Sequence, residues 1–167
     1  MLSGETAIGK FPIEAVATMD RIMVFTEQLL RDQPAPGRMK KFDRVHPITS
    51  AVTFNAANIA EAINAKLVVV ASRTGGTAWI KSKQRNYIAT LGVSDNEATL
   101  RRMSLFWGIV PHRISNIDNP QKLIEEVITW GRKQKFLTIG DRVVFVTGTG
   151  VIDNTHNLLV VHEVGAS

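Results

Sequence analysis

The chain has 167 residues, of which 44% are hydrophobic, and a formal net charge of +5, which is typical of one globular domain with a buried core. The absence of cysteine excludes disulfides, thiolate nucleophiles and cysteine-ligated metals, and no apolar run reaches the ~20 residues that span a bilayer. The positive charge is not accompanied by a zinc-finger spacing or an RNA-binding motif, so we expect a cytoplasmic protein that binds neither membrane nor nucleic acid.

The first predicted element is a helix from Pro12 to about Leu30. Pro12 suits the first position of a helix, and apolar residues then recur at helical spacing. Further apolar residues widen this surface beyond one stripe, so we expect the helix to be covered on two sides, by its own core and by a further domain or a second subunit. We therefore predict a homo-oligomer. The residues that widen the stripe are Ile22, Val24, Phe25 and Leu29.

A loop and a second helix follow. Residues 33–47 contain three prolines, Gly37 and a basic run without periodicity, which is typical of an exposed loop. A helix is predicted from Ile48 to about Ala65, with Asn64 as its exit residue.

Strands and helices alternate in the rest of the chain. Strands are predicted at 66–72, 87–93, 108–113, 142–147 and 158–164, because each is a short, largely apolar run between polar residues. A short helix to about Lys83, a helix opened by a capping box at Ser94 and Glu97, and a helix begun by Asn119 and Pro120 lie between them. The last strand follows a loop of about ten residues, too short for a parallel crossover. The sequence therefore predicts an α/β fold: a three-layer α/β/α sandwich whose mainly parallel five-stranded sheet has an antiparallel edge strand.

Two loops at the carboxyl ends of strands are candidates for binding an anion. The first comes between a strand and a helix, where backbone amides, hydroxyls and the helix dipole favour a phosphate. The second follows the fourth strand and should lie at the same edge of the sheet. Each loop also fits a simple turn or helix cap without a ligand. The candidate residues are Ser72, Arg73, Thr74, Gly75, Gly76 and Thr77 in the first loop, and Thr147, Gly148, Thr149, Asn154 and Thr155 in the second.

The residues that would mark other chemistry do not stand in the required patterns. None of the four histidines is in an i, i+4 pair or a zinc-binding spacing. The first loop ends without the Gly-Lys-Ser/Thr of a Walker A motif, and no serine stands in a G-x-S-x-G elbow. We therefore predict no catalytic residue and no metal site in this chain.

Several segments resemble pyruvate kinases. The opening MLSGETA and the following GKFPIEAV are similar to the junction where the catalytic (β/α)₈ barrel of that family ends and its C-terminal domain begins. The loop at 72–77, the helix start DNEAT at 95–99, the strand WGIVP at 107–111, GDRVV at 140–144 and the closing NLLVVHEV follow in the order of the family's C-terminal domain. The resemblance covers nearly the whole chain.

This resemblance implies a regulatory and assembly domain. It places the end of the barrel at residues 1–11 and the C-terminal domain at 12–167. The family's magnesium and potassium sites lie in the barrel, so no cofactor is expected here, and the chain alone should not be active. A phosphorylated metabolite is the expected ligand of the first loop, although Gly76 stands where family members commonly carry an arginine, which disfavours a sugar bisphosphate. A stand-alone phospho-ligand-binding protein or small enzyme that uses the same cleft, and a purely structural domain, remain alternatives.

Overall fold

The computed structural model describes residues 2–31, 46–148 and 157–165, and the chain divides into two compact units, Met1–Gly37 and Arg38–Ser167. The first unit contains helix α1 (Gly4–Ala7), which the sequence did not predict, and helix α2 (Pro12–Arg31), which it did. Taken by itself, α2 buries none of its side chains.

The second unit is built on a five-stranded sheet. Its strands are β1 (Leu67–Ala71), β2 (Thr90–Ser94), β3 (Ile109–Arg113), β4 (Arg142–Thr147) and β5 (Leu158–Glu163), in the spatial order β3-β2-β1-β4-β5. The first four strands are parallel, and β5 pairs antiparallel with β4 at the edge. The predicted fold class is therefore confirmed, including the direction of the last strand.

Helices cover both faces of this sheet. The helices are α3 (Pro47–Ala62), α4 (Gly76–Gln84), α5 (Glu97–Met103) and α6 (Pro120–Lys133). Alternate residues of β1 belong to two separate cores: Val68 and Val70 pack with α3, α4 and α5, whereas Val69 packs with the apolar face of α6. Because successive side chains of a strand point to opposite faces, these two cores define the three layers.

Three local predictions differ from the structure. The predicted capping box is wrong: Asn96 caps α5 by accepting a hydrogen bond from Thr99 N–H at 3.2 Å, and Ser94 is the buried last residue of β2. Strand β2 begins at Thr90 rather than at residue 87. Pro47 is the first residue of α3 rather than part of the loop, because His46 caps that helix. Asn64, the predicted exit residue, has the left-handed φ of +52° that suits a helix exit.

No helix among the described residues is both long enough and apolar enough to cross a membrane.

Candidate functional site

The first candidate loop leads from β1 directly into α4. Gly75 is the N-cap residue of α4 and has a φ of +84°, a left-handed conformation that favours glycine. The Ser72 hydroxyl accepts a hydrogen bond from the Gly75 N–H at 3.0 Å, and the Ser72 side chain is buried. This hydrogen bond stabilises the turn. It also occupies the Gly75 amide, which sequence analysis had counted among the amides that could bind a phosphate.

The remaining residues of this loop differ in their accessibility. Thr74 is exposed and Gly76 is half-buried, whereas Thr77 is buried within the first turn of α4. A β-carbon added at Gly76 would lie 3.7 Å from the Thr74 hydroxyl oxygen, an ordinary contact, so the loop has room for a side chain there. Arg73, Thr74 and Gly76 are therefore the residues of this loop that solvent reaches, whereas Thr77 is not exposed to it.

Arg73 supplies the positive charge of the loop, and two carboxylates hold it. Its guanidinium pairs with Asp118 at 2.5 Å and with Asp95 at 3.1 Å. These hydrogen bonds, first that of Asp118 and then that of Asp95, raise the pKa of Arg73 above its ordinary value. The Arg73 carbonyl also accepts a bond from the Thr99 hydroxyl at 2.6 Å. The side chain that would bind a phosphate is therefore already committed within the protein.

The two acidic partners come from the neighbouring strand ends. Asp95 follows β2 and Asp118 follows β3, so Arg73 links the carboxyl ends of three adjacent parallel strands. Beside this cluster, Arg113 pairs with Glu97 at 2.7 Å. Sequence analysis did not identify Asp95 and Asp118 as ion-pair partners of Arg73. The strand order would have been needed to find them.

The second candidate loop begins next to the first. Strands β1 and β4 are parallel neighbours with Val70 opposite Val146, so Ser72 and Thr147 come at the same edge of the sheet. Thr147 is buried at the end of β4, and Gly148 is half-buried. Thr149, Asn154 and Thr155 lie outside the described residues. The structure therefore brings together the first loop and the beginning of the second.

Two further polar groups lie away from these loops. Lys81 is a buried residue of α4, and its ammonium donates a hydrogen bond to the Asn86 side-chain oxygen. Burial lowers the pKa of Lys81 to about 8, opposed by the charge of Glu61 on α3. His112 on β3 packs against Trp130 with ring centroids 4.6 Å apart, and burial lowers its pKa. Among residues 2–31, 46–148 and 157–165, no three histidine, aspartate or glutamate side chains are grouped so as to hold a metal ion.

Comparison with known proteins relates the chain to one family. A family profile described as "Pyruvate kinase, alpha/beta domain" matches residues 50–162. Curated pyruvate kinases match nearly the whole chain: that of Sporosarcina psychrophila is 32% identical over 99% of this chain, and that of Chlamydia trachomatis serovar D is 32% identical over 98%. Pyruvate kinase 2 of Synechocystis is 36% identical over 93% of it.

In each of these relatives the match is confined to part of the protein. The chain spans 28% of the Sporosarcina protein, 34% of the Chlamydia protein and 26% of the Synechocystis protein. A crystal structure of a pyruvate kinase from Cryptosporidium parvum shares the fold, with a TM-score of 0.78 and 24% identity over 98% of this chain and 32% of that one. The chain is thus similar to one domain of a larger enzyme.

Proposed function

Because this chain belongs to the pyruvate kinase α/β domain family, we propose that it is the regulatory and assembly domain of a pyruvate kinase and does not transfer a phosphoryl group by itself. One observation carries this proposal: 99% of the chain matches only 28% of a curated relative. The partner of the domain would be the catalytic barrel, which transfers the phosphoryl group of phosphoenolpyruvate to ADP with magnesium and potassium. In this proposal residues 1–11 are the end of that barrel, residues 12–167 are the domain, and the protein is cytoplasmic.

The regulatory role rests on the loop between β1 and α4. The first turn of a helix leaves amide groups without intrahelical partners and carries a partial positive charge, which together favour a phosphate. Since the Gly75 amide already bonds to Ser72, the phosphate contacts fall to the amides that follow it and to the hydroxyl of Thr74. We propose a phosphorylated metabolite as the ligand of this loop, with modest affinity because Arg73 is held by Asp95 and Asp118.

A titration of the chain with phosphorylated metabolites tests this site. Calorimetry and thermal unfolding would be measured with inorganic phosphate, a sugar monophosphate, a sugar bisphosphate and a nucleoside monophosphate. Gly76→Arg should strengthen phosphate binding about tenfold, since a charged hydrogen bond contributes about 1.5–3 kcal/mol and the position has room for a side chain. Thr74→Ala should weaken it about threefold.

The control for the added charge is Thr129→Arg, because Thr129 is exposed on α6 across the sheet. This variant should bind as the unaltered chain does. Failure of all four compounds to bind, or an affinity that neither Gly76→Arg nor Thr74→Ala changes, would refute the site.

The assembly role rests on two apolar surfaces. Strand β5 is at the edge of the sheet, with Val161 48% exposed. Helix α2, taken by itself, exposes a broad apolar surface that includes Ile22 and Phe25. Edge strands and large apolar patches are typical of interfaces. We expect light scattering to show at least a homodimer, and Val161→Lys to shift it toward monomer, whereas a strictly monomeric mass at high concentration would contradict the proposal.

A further inference from the structure

A cleft of about 290 Å³ lies on the opposite end of α4 from the phosphate loop. The last turn of α4 and the segment that follows α5 form its walls. Its lining consists of three aromatic residues, two basic residues, one leucine and one serine, with no acidic residue: Trp79, Phe106, Trp107, Lys83, Arg85, Leu105 and Ser82. This composition differs from that of the loop at the carboxyl ends of the strands, where Asp95 and Asp118 hold the cation.

Each basic side chain of the cleft lies over an indole ring. The Lys83 ammonium is 5.6 Å from the centre of the Trp79 ring, and the Arg85 guanidinium carbon is 4.7 Å from that of Trp107. Tyr87 meets Trp107 edge-on, with ring centroids 5.7 Å apart and an interplanar angle of 82°. Cation–π and edge-to-face contacts orient rings without consuming the hydrogen-bonding capacity of the cations. The charges therefore stay available to an anion.

The backbone supports this arrangement at Arg85. Arg85 ends α4 in a left-handed conformation with a φ of +55°, which is uncommon for a residue with a β-carbon. Such conformations cost free energy and persist where the surrounding structure determines them, often at ligand-binding positions. With this backbone conformation, the guanidinium of Arg85 lies over the ring of Trp107 on the opposite wall of the cleft.

The two charges and the two indoles specify the chemistry of a ligand. Two cations match a phosphate monoester, whose charge is close to −2 at neutral pH. Indole faces stack on planar rings, and base stacking on an aromatic side chain contributes about 1–3 kcal/mol. The volume is at the lower limit of small-molecule pockets, about 300 Å³, which suits a mononucleotide better than a dinucleotide. We propose that this cleft binds a nucleoside monophosphate, with the base on the indoles and the phosphate between Lys83 and Arg85.

Most of this cleft lies away from the proposed loop site, although Phe106 of its lining would be 3.8 Å from a β-carbon added at Gly75. Helix α4 has nine residues, so at about 1.5 Å per residue its two ends are about 13 Å apart. A ligand in the cleft therefore leaves the loop open to a second phosphorylated compound. Both proposed sites would recognise phosphate, but the two indoles line only the cleft.

The three tryptophans allow a direct test by nitrogen-15 NMR of the full chain. Trp79 and Trp107 line the cleft, and Trp130 is on α6 across the sheet, so its indole N–H signal is an internal control. Adenosine 5′-monophosphate should move the indole signals of Trp79 and Trp107 in a saturable manner and leave that of Trp130 in place. Adenosine and ribose 5-phosphate should each bind about tenfold or more weakly, because each lacks one of the two recognised groups.

Two charge variants localise the binding. Lys83→Gln and Arg85→Gln alter exposed side chains, so both should fold, and each should weaken binding of adenosine 5′-monophosphate at least about threefold. Lys133→Gln on α6 is the matched control, and Thr74→Ala should leave binding at the cleft unchanged. The proposal is overturned if no indole signal moves, if all three move alike, if ribose 5-phosphate binds as well as the nucleotide, or if both charge variants retain full affinity. None of these results would bear on phosphate binding at the loop, which is read from Thr74→Ala and Gly76→Arg.

Discussion

The two ends of α4 offer different groups to the anions proposed to bind there. At its beginning, the groups proposed to contact a phosphate belong to the backbone and to small side chains, and Asp95 and Asp118 hold the nearby Arg73. At its end, Lys83 and Arg85 lie over indole rings in a cleft whose lining contains no acidic side chain. The first end depends on the local conformation of the chain, whereas the second depends on side chains brought together from two segments.

The two ends of α4 should differ in the substitutions that impair them. A backbone site tolerates changes of exposed side chains but is sensitive to any residue that alters φ at Gly75. A site built from side chains is impaired when those side chains are changed and depends less on φ at Gly75. Between the two ends, the buried face of α4 carries Lys81, whose charge affects the stability of the helix that both proposed sites share.

The largest effect is expected from the pH dependence contributed by Lys81. Its folded-state pKa of about 8 lies below the value of 10.5 for a free lysine. Below pH 8 both states carry the proton, and the folded state bears the cost of the buried charge. As the pH rises from 8 to 10.5 the folded state loses this proton before the unfolded state does, so stability increases. At about 1.4 kcal/mol per pH unit, the gain is about 3 kcal/mol.

Urea unfolding at pH 7 to 10.5 measures this gain. Lys81→Met should remove it and should stabilise the chain at pH 7 by about 1–3 kcal/mol, because no charge is then buried. Lys83→Met changes an exposed lysine of the same helix. In this variant the free energy of unfolding should increase with pH as it does in the unaltered chain. If the free energy of unfolding increases equally with pH in the unaltered chain and in Lys81→Met, Lys81 is not the source of the pH dependence.

A smaller effect distinguishes the two glycines at the start of α4. Gly75→Ala should destabilise the chain by about 1–2 kcal/mol, because an L-residue is strained at a φ of +84°. Gly76→Ala should be neutral or stabilise it by up to about 1 kcal/mol, since Gly76 is helical and its added β-carbon makes only an ordinary contact. Thermal unfolding of the pair checks this. Equal destabilisation by both variants would contradict the distinction.

The smallest effect concerns the carboxylates that hold Arg73. Asp118→Asn removes an exposed ion pair and should change the free energy of unfolding by less than about 1 kcal/mol. Because it also releases part of the Arg73 charge, it should strengthen the binding of inorganic phosphate to the loop about threefold. Glu97→Gln is the matched control, since it removes the neighbouring pair with Arg113 and leaves Arg73 bound. Calorimetry that finds weaker phosphate binding to Asp118→Asn would contradict this role of Arg73.

Most of the sheet could be predicted from the sequence because three of its four parallel strands, β1, β2 and β4, are buried on both faces. Strand β1 is a continuous apolar run in which every residue is buried, and β4 matches its predicted bounds. Strand β2 begins at Thr90, three residues after the predicted start at Tyr87, whose ring packs against Trp107. The capping-box prediction was wrong because Ser94 belongs to the buried end of β2. Its hydroxyl accepts a hydrogen bond from the Asn96 N–H at 3.2 Å.

The candidate sites could be predicted only where they are local. The loop at 72–77 has a recognisable strand–glycine–helix pattern, so its place at the sheet edge followed from the sequence. The Arg73 contacts join residues 22 and 45 positions apart, and the aromatic cleft joins Trp79 to the segment around Trp107. No spacing rule indicates such pairs, because the strand order and the packing of α5 decide them.

The most direct test of the central claim is a coupled assay for pyruvate formation. The purified chain would be supplied with phosphoenolpyruvate, ADP, magnesium and potassium, and an intact pyruvate kinase would be the positive control. We expect no turnover above background, because a domain that regulates and assembles does not hold the reacting phosphates. Robust turnover would contradict the proposed function if Arg73→Ala or Thr74→Ala abolished it. The loss would assign the activity to this chain rather than to a contaminating pyruvate kinase.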